Sequence, residues 1–333
     1  MAKIAVMGAG SWGTTFAKVL TDAGNQVTLW GRRAEVIDEI NEEHRNGDYL
    51  PGIVLPVGLI ATTDESVALQ GAEQVYLAVP SQTLRANLTS WTPLLPKDAI
   101  LVSLMKGVEQ GTGLRMSEVI AQVTGFETAQ IAVVSGPNLS GEIAKEQPTA
   151  SVAACSSIAN ATAVAKASTN DYFTTFTNRD VVGTEFGGIL KNLIAVAIGI
   201  VNGVGYGENT KASIMTRGLA EISRFAVAYG AKPNTMVGLA GLGDLIATSE
   251  SPLSRNHMAG EMLGKGFSVR EVLKRMSKTA EGLASVTPVL ELAAAKGVSM
   301  PIVEQVQQVI QGKLHPSEIA PHLMSDTDEP QKE

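Results

Sequence analysis

Lys191 is the only charge in the stretch GGILKNLIAVAIGIVNG, residues 187–203. On a helix its same-face neighbours three, four and seven residues on are Ile194, Ala195 and Ile198, and the opposite face is apolar as well. Such a helix is buried on all sides. An ammonium group there loses solvation unless it snorkels from the helix end or something holds it. Asp244 poses the same problem inside GLAGLGDLIAT, residues 238–248, which is otherwise apolar and glycine-rich. A carboxylate in those surroundings needs a partner, and a buried lysine is the obvious one; capping a helix is the alternative. A lysine held by an acid can stabilise negative charge growing on a carbonyl oxygen and then supply a proton.

Lys106 directly follows the apolar run ILVSLM and is the only charge near the end of that strand. Ligands of doubly wound sheets bind outside the carboxyl ends of the strands. Here those ends read Pro80-Ser81, Lys106-Gly107 and Ser135-Gly136-Pro137-Asn138. Ser254-Arg255-Asn256 stands at the expected start of a helix, where backbone N–H groups, a guanidinium and short polar side chains form a ready phosphate site. The four histidines (44, 257, 315 and 322) have no metal-ligand spacing, so no metal is expected and none of them is assigned to catalysis.

MGAGSWG places Gly8, Gly10 and Gly13 in G-x-G-x-x-G spacing after a strand at the chain start, opening a helix and followed by a second strand about twenty residues on. In that context the motif points to dinucleotide binding. The first glycine allows the tight turn, the second lets backbone approach a pyrophosphate, and the third lets helix pack on strand. The second strand ends in LWGRRAE, with Arg32 and Arg33 where an NAD-specific site usually has an acid. Arginine there suits a 2′-phosphate, so NADP(H) is preferred and NAD(H) remains possible.

These side chains need a frame. Apolar runs at 3–8, 26–31, 74–79, 99–105, 131–136 and 149–155 are mostly continuous rather than alternating, as in strands of a parallel sheet covered on both faces. Helices are expected between them, for example at 11–23 and 34–45. From residue 187 helical patterns succeed one another at 188–201, 210–229, 255–264, 268–276, 285–296 and 301–311. The expected architecture is α/β: an N-terminal Rossmann-type doubly wound sheet over 1–186, then an all-helical C-terminal domain over 187–324. Residues 325–333, polar and acidic, are expected to form a disordered tail.

Composition narrows the partners. Of 333 residues, 44% are hydrophobic and 18% charged, a globular composition, and the net charge of −7 argues against nucleic acid or an anionic membrane. The apolar part of 189–201 is too short to span a bilayer, so stable membrane insertion is not expected. The apolar run in MAKIAVMGAG is too short for a secretory signal. Cys155, the single cysteine, sits in an apolar run and reads as a buried small residue. A cytoplasmic protein is expected.

Taken together, GAGSWGT, KGVE (106–109), SGPNLSGEIA (135–144), GGILKNLIAVAIGIVNGVGYGENTKA (187–212), TRGLAEISR (216–224), GLAGLGDL (238–245) and SRN (254–256) resemble the bacterial-type NAD(P)-dependent glycerol-3-phosphate dehydrogenase family over almost the whole chain. The resemblance implies reversible reduction of dihydroxyacetone phosphate to sn-glycerol 3-phosphate for phospholipid synthesis, in an enzyme expected to be a homodimer. It implies catalytic roles for Lys191, Lys106 and Asp244, and substrate contacts at Lys106, Gly136, Asn138, Lys191, Asp244, Ser254, Arg255 and Asn256. Cofactor contacts fall on Gly8, Gly10, Ser11, Trp12, Gly13, Arg32, Arg33, Lys106, Ser140, Arg255 and Glu281. One departure is Asn138-Leu139, where the family more often has Ser or Thr and then Phe. A β-hydroxyacid or 6-phosphogluconate-type dehydrogenase, or a sensor that binds NADP(H) without turnover, are the alternatives. Which lysine delivers the proton is open at this level.

Overall fold

The computed structural model describes residues 1–252, 254–276 and 281–320. The tail expected at 325–333 and His322 lie outside them. The chain divides into two compact units, Met1–Glu185 and Phe186–Glu333.

The first unit is built on an eight-stranded sheet. Its strands are β1 (Lys3–Met7), β2 (Gln26–Trp30), β3 (Ile60–Thr62), β4 (Gln74–Leu77), β5 (Ile100–Ser103), β6 (Ile131–Ser135), β7 (Thr149–Ala154) and β8 (Phe173–Asn178). Their order is β3-β2-β1-β4-β5-β6-β7-β8, and every pairing is parallel except β6 with β7. Chain order therefore reverses between β1 and β4, the crevice where doubly wound sheets take their ligand. Helices α1 (Ser11–Asp22), α2 (Ala34–Glu43), α3 (Glu65–Leu69), α4 (Leu84–Trp91), α5 (Met116–Thr124), α6 (Ser140–Ala144) and α7 (Ile158–Ser168) belong to this unit. One apolar cluster, around Phe16, Tyr76 and Phe173, covers one face, and a second, around Trp30, Leu88 and Trp91, covers the other. Burial on both faces is why the central strands read as unbroken apolar runs. Cys155 is fully buried, as its neighbours suggest.

Two strands were not foreseen. β3 is three residues long, and β8 (FTTFTN) alternates buried and exposed positions at the sheet edge. Neither presents a continuous apolar run, since an edge strand needs only one buried face.

The second unit is helical. Its elements are α8 (Val181–Val204, its first five residues counted with the first unit), α9 (Glu208–Ala228), α10 (Pro233–Met236), α11 (Asp244–Glu250), α12 (Arg255–Gly264), α13 (Val269–Arg275), α14 (Glu281–Ala295) and α15 (Pro301–Ile310). By length and hydropathy alone α8 could cross a membrane, yet 83% of its most apolar window is buried in protein. It is the core helix of this unit. Where α8 meets α12 the contact is glycine against glycine. A Cβ at Gly199 would stand 2.2 Å from the His257 carbonyl oxygen, and one at Gly260 would stand 2.1 Å from that of Val196. Gly203 and Gly264 repeat the arrangement one turn on, so the two backbones touch directly.

Glu221 of α9 is buried and accepts hydrogen bonds from the Ile302 and Val303 N–H groups at 2.9 and 3.1 Å, which caps the first turn of α15 from outside. Burial, partly offset by those two bonds and by Arg224, pushes its carboxyl up from 4.5 to about 7. A carboxyl raised in the folded state adds stability below pH 4.5 that is lost as pH rises through 7. Denaturant unfolding between pH 4.5 and 8 should therefore show stability declining with pH through this group, and Glu221→Gln should flatten that decline. A slope unchanged in the variant would assign the dependence to other groups.

Candidate active site

In the second unit the two buried charges find each other. The Lys191 ammonium donates to Asp244 Oδ1 at 2.7 Å and also to the Thr248 hydroxyl, while Thr248 Oγ1 donates to the same carboxylate oxygen at 3.2 Å. The Lys191 and Asp244 side chains are 8% and 2% exposed. Local structure explains the geometry. The chain enters α11 through a five-residue π turn, Leu239–Gly243, and wider turns of this kind are common at functional positions. Close packing there requires glycine: a Cβ at Gly187 would lie 2.4 Å from the Ala240 carbonyl oxygen, and one at Gly241 would lie 2.1 Å from that of Met236. These contacts set α8 against the turn, so that Asp244, the first residue of α11, meets the lysine. Thr248, four residues on, lies on the same helix face.

The phosphate-binding candidate is built on the start of α12. Ser254 is its N-cap, its hydroxyl accepting from the His257 N–H at 3.3 Å, and Arg255 and Asn256 are the first two helical residues. Asn256 donates to the Asn192 side chain at 2.8 Å and accepts from the Gly282 N–H at 2.9 Å. Asn192 follows Lys191, so two side-chain amides tie α8 to the start of α12 next to the lysine. Arg255 is exposed. The side chain of Glu281 lies outside the described residues.

In the first unit the glycine loop joins β1 to α1. Gly8 has φ +134°, which favours glycine, and a Cβ at Gly13 would fall 1.9 Å from the Gly8 carbonyl oxygen. Among the described residues nothing lies within 4 Å of a Cβ placed at Gly10, and none of their side chains caps α1. That open space before a helix N-terminus fits a pyrophosphate group, whose charge the helix dipole and N–H groups favour. Ser11 and Ser140 share a hydrogen bond of 2.9 Å between their hydroxyls at the loop. Trp12 packs edge-on to Phe16 with ring centroids 5.3 Å apart. Arg32 is exposed beyond β2; Arg33 binds Glu35 at 2.8 Å and also Asp48. Lys106, beyond β5, donates to the Gly136 carbonyl at 3.3 Å. Asn138 donates to the Ser151 hydroxyl at 3.3 Å, and its own Oδ1 is buried without a hydrogen-bond partner among the described residues. The structure thus gathers Ser11 with Ser140, and Lys106 with Gly136 beside Asn138, in one unit, and Lys191 with Asp244, and Asn256 with Ser254 and Arg255, in the other.

Four residues at these positions were missed in the sequence. Thr248 and Asn192 carried a usable signal, being one helical turn from Asp244 and next to Lys191. Asn46, fully buried, donates to the Ala9 carbonyl and the Thr14 hydroxyl at 3.2 and 2.9 Å and so braces the glycine loop. Gly31 lets β2 end against that loop, since a Cβ there would lie 2.7 Å from Ala9 Cβ. Neither has a local pattern that marks it.

Breaking a buried ion pair by removing one member destabilises by roughly 3–5 kcal/mol, because the other charge stays buried. Asp244→Ala is therefore expected to lower stability by about that amount in denaturant unfolding. Lys191→Met/Asp244→Leu should recover most of the loss. A single variant as stable as the parent would refute the coupling.

Models of the NAD-dependent glycerol-3-phosphate dehydrogenase N-terminus and C-terminus match residues 3–161 and 180–321. A glycerol-3-phosphate dehydrogenase (NAD(P)+) of Leifsonia xyli subsp. xyli is 64% identical over 328 residues, covering 98% of this chain and 89% of that protein. One from Streptomyces griseus is 53% identical over 330 residues, covering 99% of this chain and 98% of its own. Among solved structures, glycerol-3-phosphate dehydrogenase from Coxiella burnetii superposes with a TM-score of 0.90 at 34% identity, covering 97% of this chain and 99% of that one.

Proposed function

The chain belongs to the NAD-dependent glycerol-3-phosphate dehydrogenase family, and from that premise we propose that it reduces dihydroxyacetone phosphate to sn-glycerol 3-phosphate, reversibly, with Lys191 as the general acid. The observation that carries the residue assignment is the ammonium of Lys191, buried yet held by Asp244 and Thr248. A desolvated ammonium interacts strongly with an oxyanion, and one fixed by two neighbours needs no reorganisation as the charge grows.

The cofactor, when bound, supplies the hydride. The loop of Gly8, Gly10 and Gly13 with Ser11 and Ser140 suits its pyrophosphate, and Arg32 and Arg33 suit a 2′-phosphate. Arg255, Asn256 and the capped start of α12 hold the substrate phosphate and so orient the ketone, which turns binding into positioning. Lys191 faces the ketone oxygen, neutralises the developing alkoxide and transfers its proton to that oxygen. Asp244 keeps the lysine pointed, while Thr248 limits its rotation. Lys106 is a second positive group for the substrate, and Gly136 and Asn138 lie beside it. Asn138 differs from the Ser or Thr more usual at this position, but it still offers polar atoms to a hydroxylated substrate. The product suits a role in phospholipid synthesis, and the single cysteine suits the cytoplasm.

Lys191→Ala should lower kcat by about 10²-fold or more, the size expected for a lost general acid, and leave the Kd for NADPH unchanged. Following nicotinamide absorbance with dihydroxyacetone phosphate checks this, and near-normal turnover would remove Lys191 from the role. Replacing Arg32 and Arg33 by Ser should weaken NADPH far more than NADH in a fluorescence titration. Equal losses would exclude a 2′-phosphate contact.

A further inference from the structure

α1 is buried against the sheet over most of its length, yet Ser11, Thr15, Lys18 and Asp22 follow one another at spacings of four, three and four residues. That spacing puts them on one face of the helix. All four have partners on that side. Ser11 shares its hydrogen bond with Ser140, and Thr15 Oγ1 donates to the Ser140 carbonyl at 3.3 Å. The Lys18 ammonium donates to Asp22 at 2.6 Å and to Glu146 at 2.8 Å, with the Tyr172 ring 5.1 Å away, and the Tyr172 hydroxyl donates to Asp22 at 2.6 Å. The Lys18 side chain is 5% exposed. Burial opposes its charge, but the bonds to Asp22 and Glu146 outweigh that and hold its pKa above the ordinary lysine value.

α6 lies along this stripe, with Ser140 at one end and Glu146 just past the other. Five residues cannot hold a helix by themselves. α6 ends in a complete Schellman motif: the Glu146 N–H donates to the Ile143 carbonyl at 2.8 Å, and the Gln147 N–H to that of Glu142 at 3.2 Å. The left-handed position in that motif favours glycine, yet Glu146 occupies it with φ +61°. The side chain put there at the expense of backbone strain is the one that reaches Lys18.

We propose that Lys18 is a positioning residue for cofactor binding: through Glu146 it pins α6 to α1 and so keeps Ser140 at the glycine loop beside Ser11. The inference rests on the reading that this loop takes the dinucleotide. Lys18 touches neither cofactor nor substrate; it acts through α6.

The test is made on the full chain with NADPH and dihydroxyacetone phosphate as probes. Lys18→Met and Glu146→Gly should each raise the KM and Kd for NADPH about fivefold. The kcat and the KM for the ketone should stay near wild type, and Lys18→Arg should restore affinity. Glu146→Gly separates positioning from stability, since glycine relieves the left-handed strain: Tm should hold or rise while NADPH binding weakens. If the Glu146→Gly protein binds NADPH as the wild type does, or if kcat falls in step with affinity, the proposal is overturned. Wild-type protein that binds neither NADPH nor NADH would overturn the cofactor reading and this inference with it; wild-type binding with unchanged variants overturns this inference alone.

Discussion

An ammonium group removed from water, with a carboxylate to hold it, is the constraint around which the second unit is arranged. Lys191 lies inside the most apolar of the described helices, and its ammonium is held there by Asp244 and Thr248. For the carboxylate to arrive at 2.7 Å, α8 must touch a π turn, and that contact leaves no room for a Cβ at Gly187 or Gly241. The glycine-rich segment around Asp244 is therefore a steric consequence of the ion pair. Desolvating both charges is unfavourable by several kcal/mol before their attraction is counted. Such a pair is a weak way to gain stability, and its retention inside a core helix fits a catalytic use.

The first unit meets a different requirement, an open space before a helix N-terminus that is lined with backbone rather than with charge. Gly8, Gly10 and Gly13 clear the space, and neighbouring polar side chains fix its walls: Asn46 braces the loop from one side, Ser140 meets Ser11 on another. These supports come from segments far apart in the chain. Asn46 is held by a buried bond to Thr14, and Ser140 by a half-buried one to Ser11, and these bonds keep the walls in place.

Much of this was legible because burial leaves a strong mark on composition. The central strands and the helices over 255–264 and 301–310 could be read within a residue or two, since continuous apolar runs and 3.6-residue periods are direct records of which faces are covered. Helix α8 begins at Val181 rather than 188, because its first turns carry Gly, Thr and Glu among the apolar residues and blur the pattern. The pairing of Lys191 with Asp244 was readable as two charges with no other way to be solvated. Thr248 escaped notice because a threonine in a helix is unremarkable by itself. Asn46 and Gly31 were invisible for a deeper reason: their importance lies in what a distant segment places beside them, and nothing in their own neighbourhood reports it.

The glycine contact between α8 and α12 bears on how such a molecule can change its preferences over generations. At most helix crossings the spacing can drift as neighbouring side chains are exchanged for larger or smaller ones. Here carbonyl oxygens occupy the places where side chains would be, so no substitution at the crossing is small. The interval between the ammonium on α8 and the start of α12 is set by peptide atoms and is closed to gradual adjustment. Acceptance of longer or shorter phosphorylated ketones would then have to arise elsewhere in the chain, and divergence should spare these four glycines while it reshapes the loops.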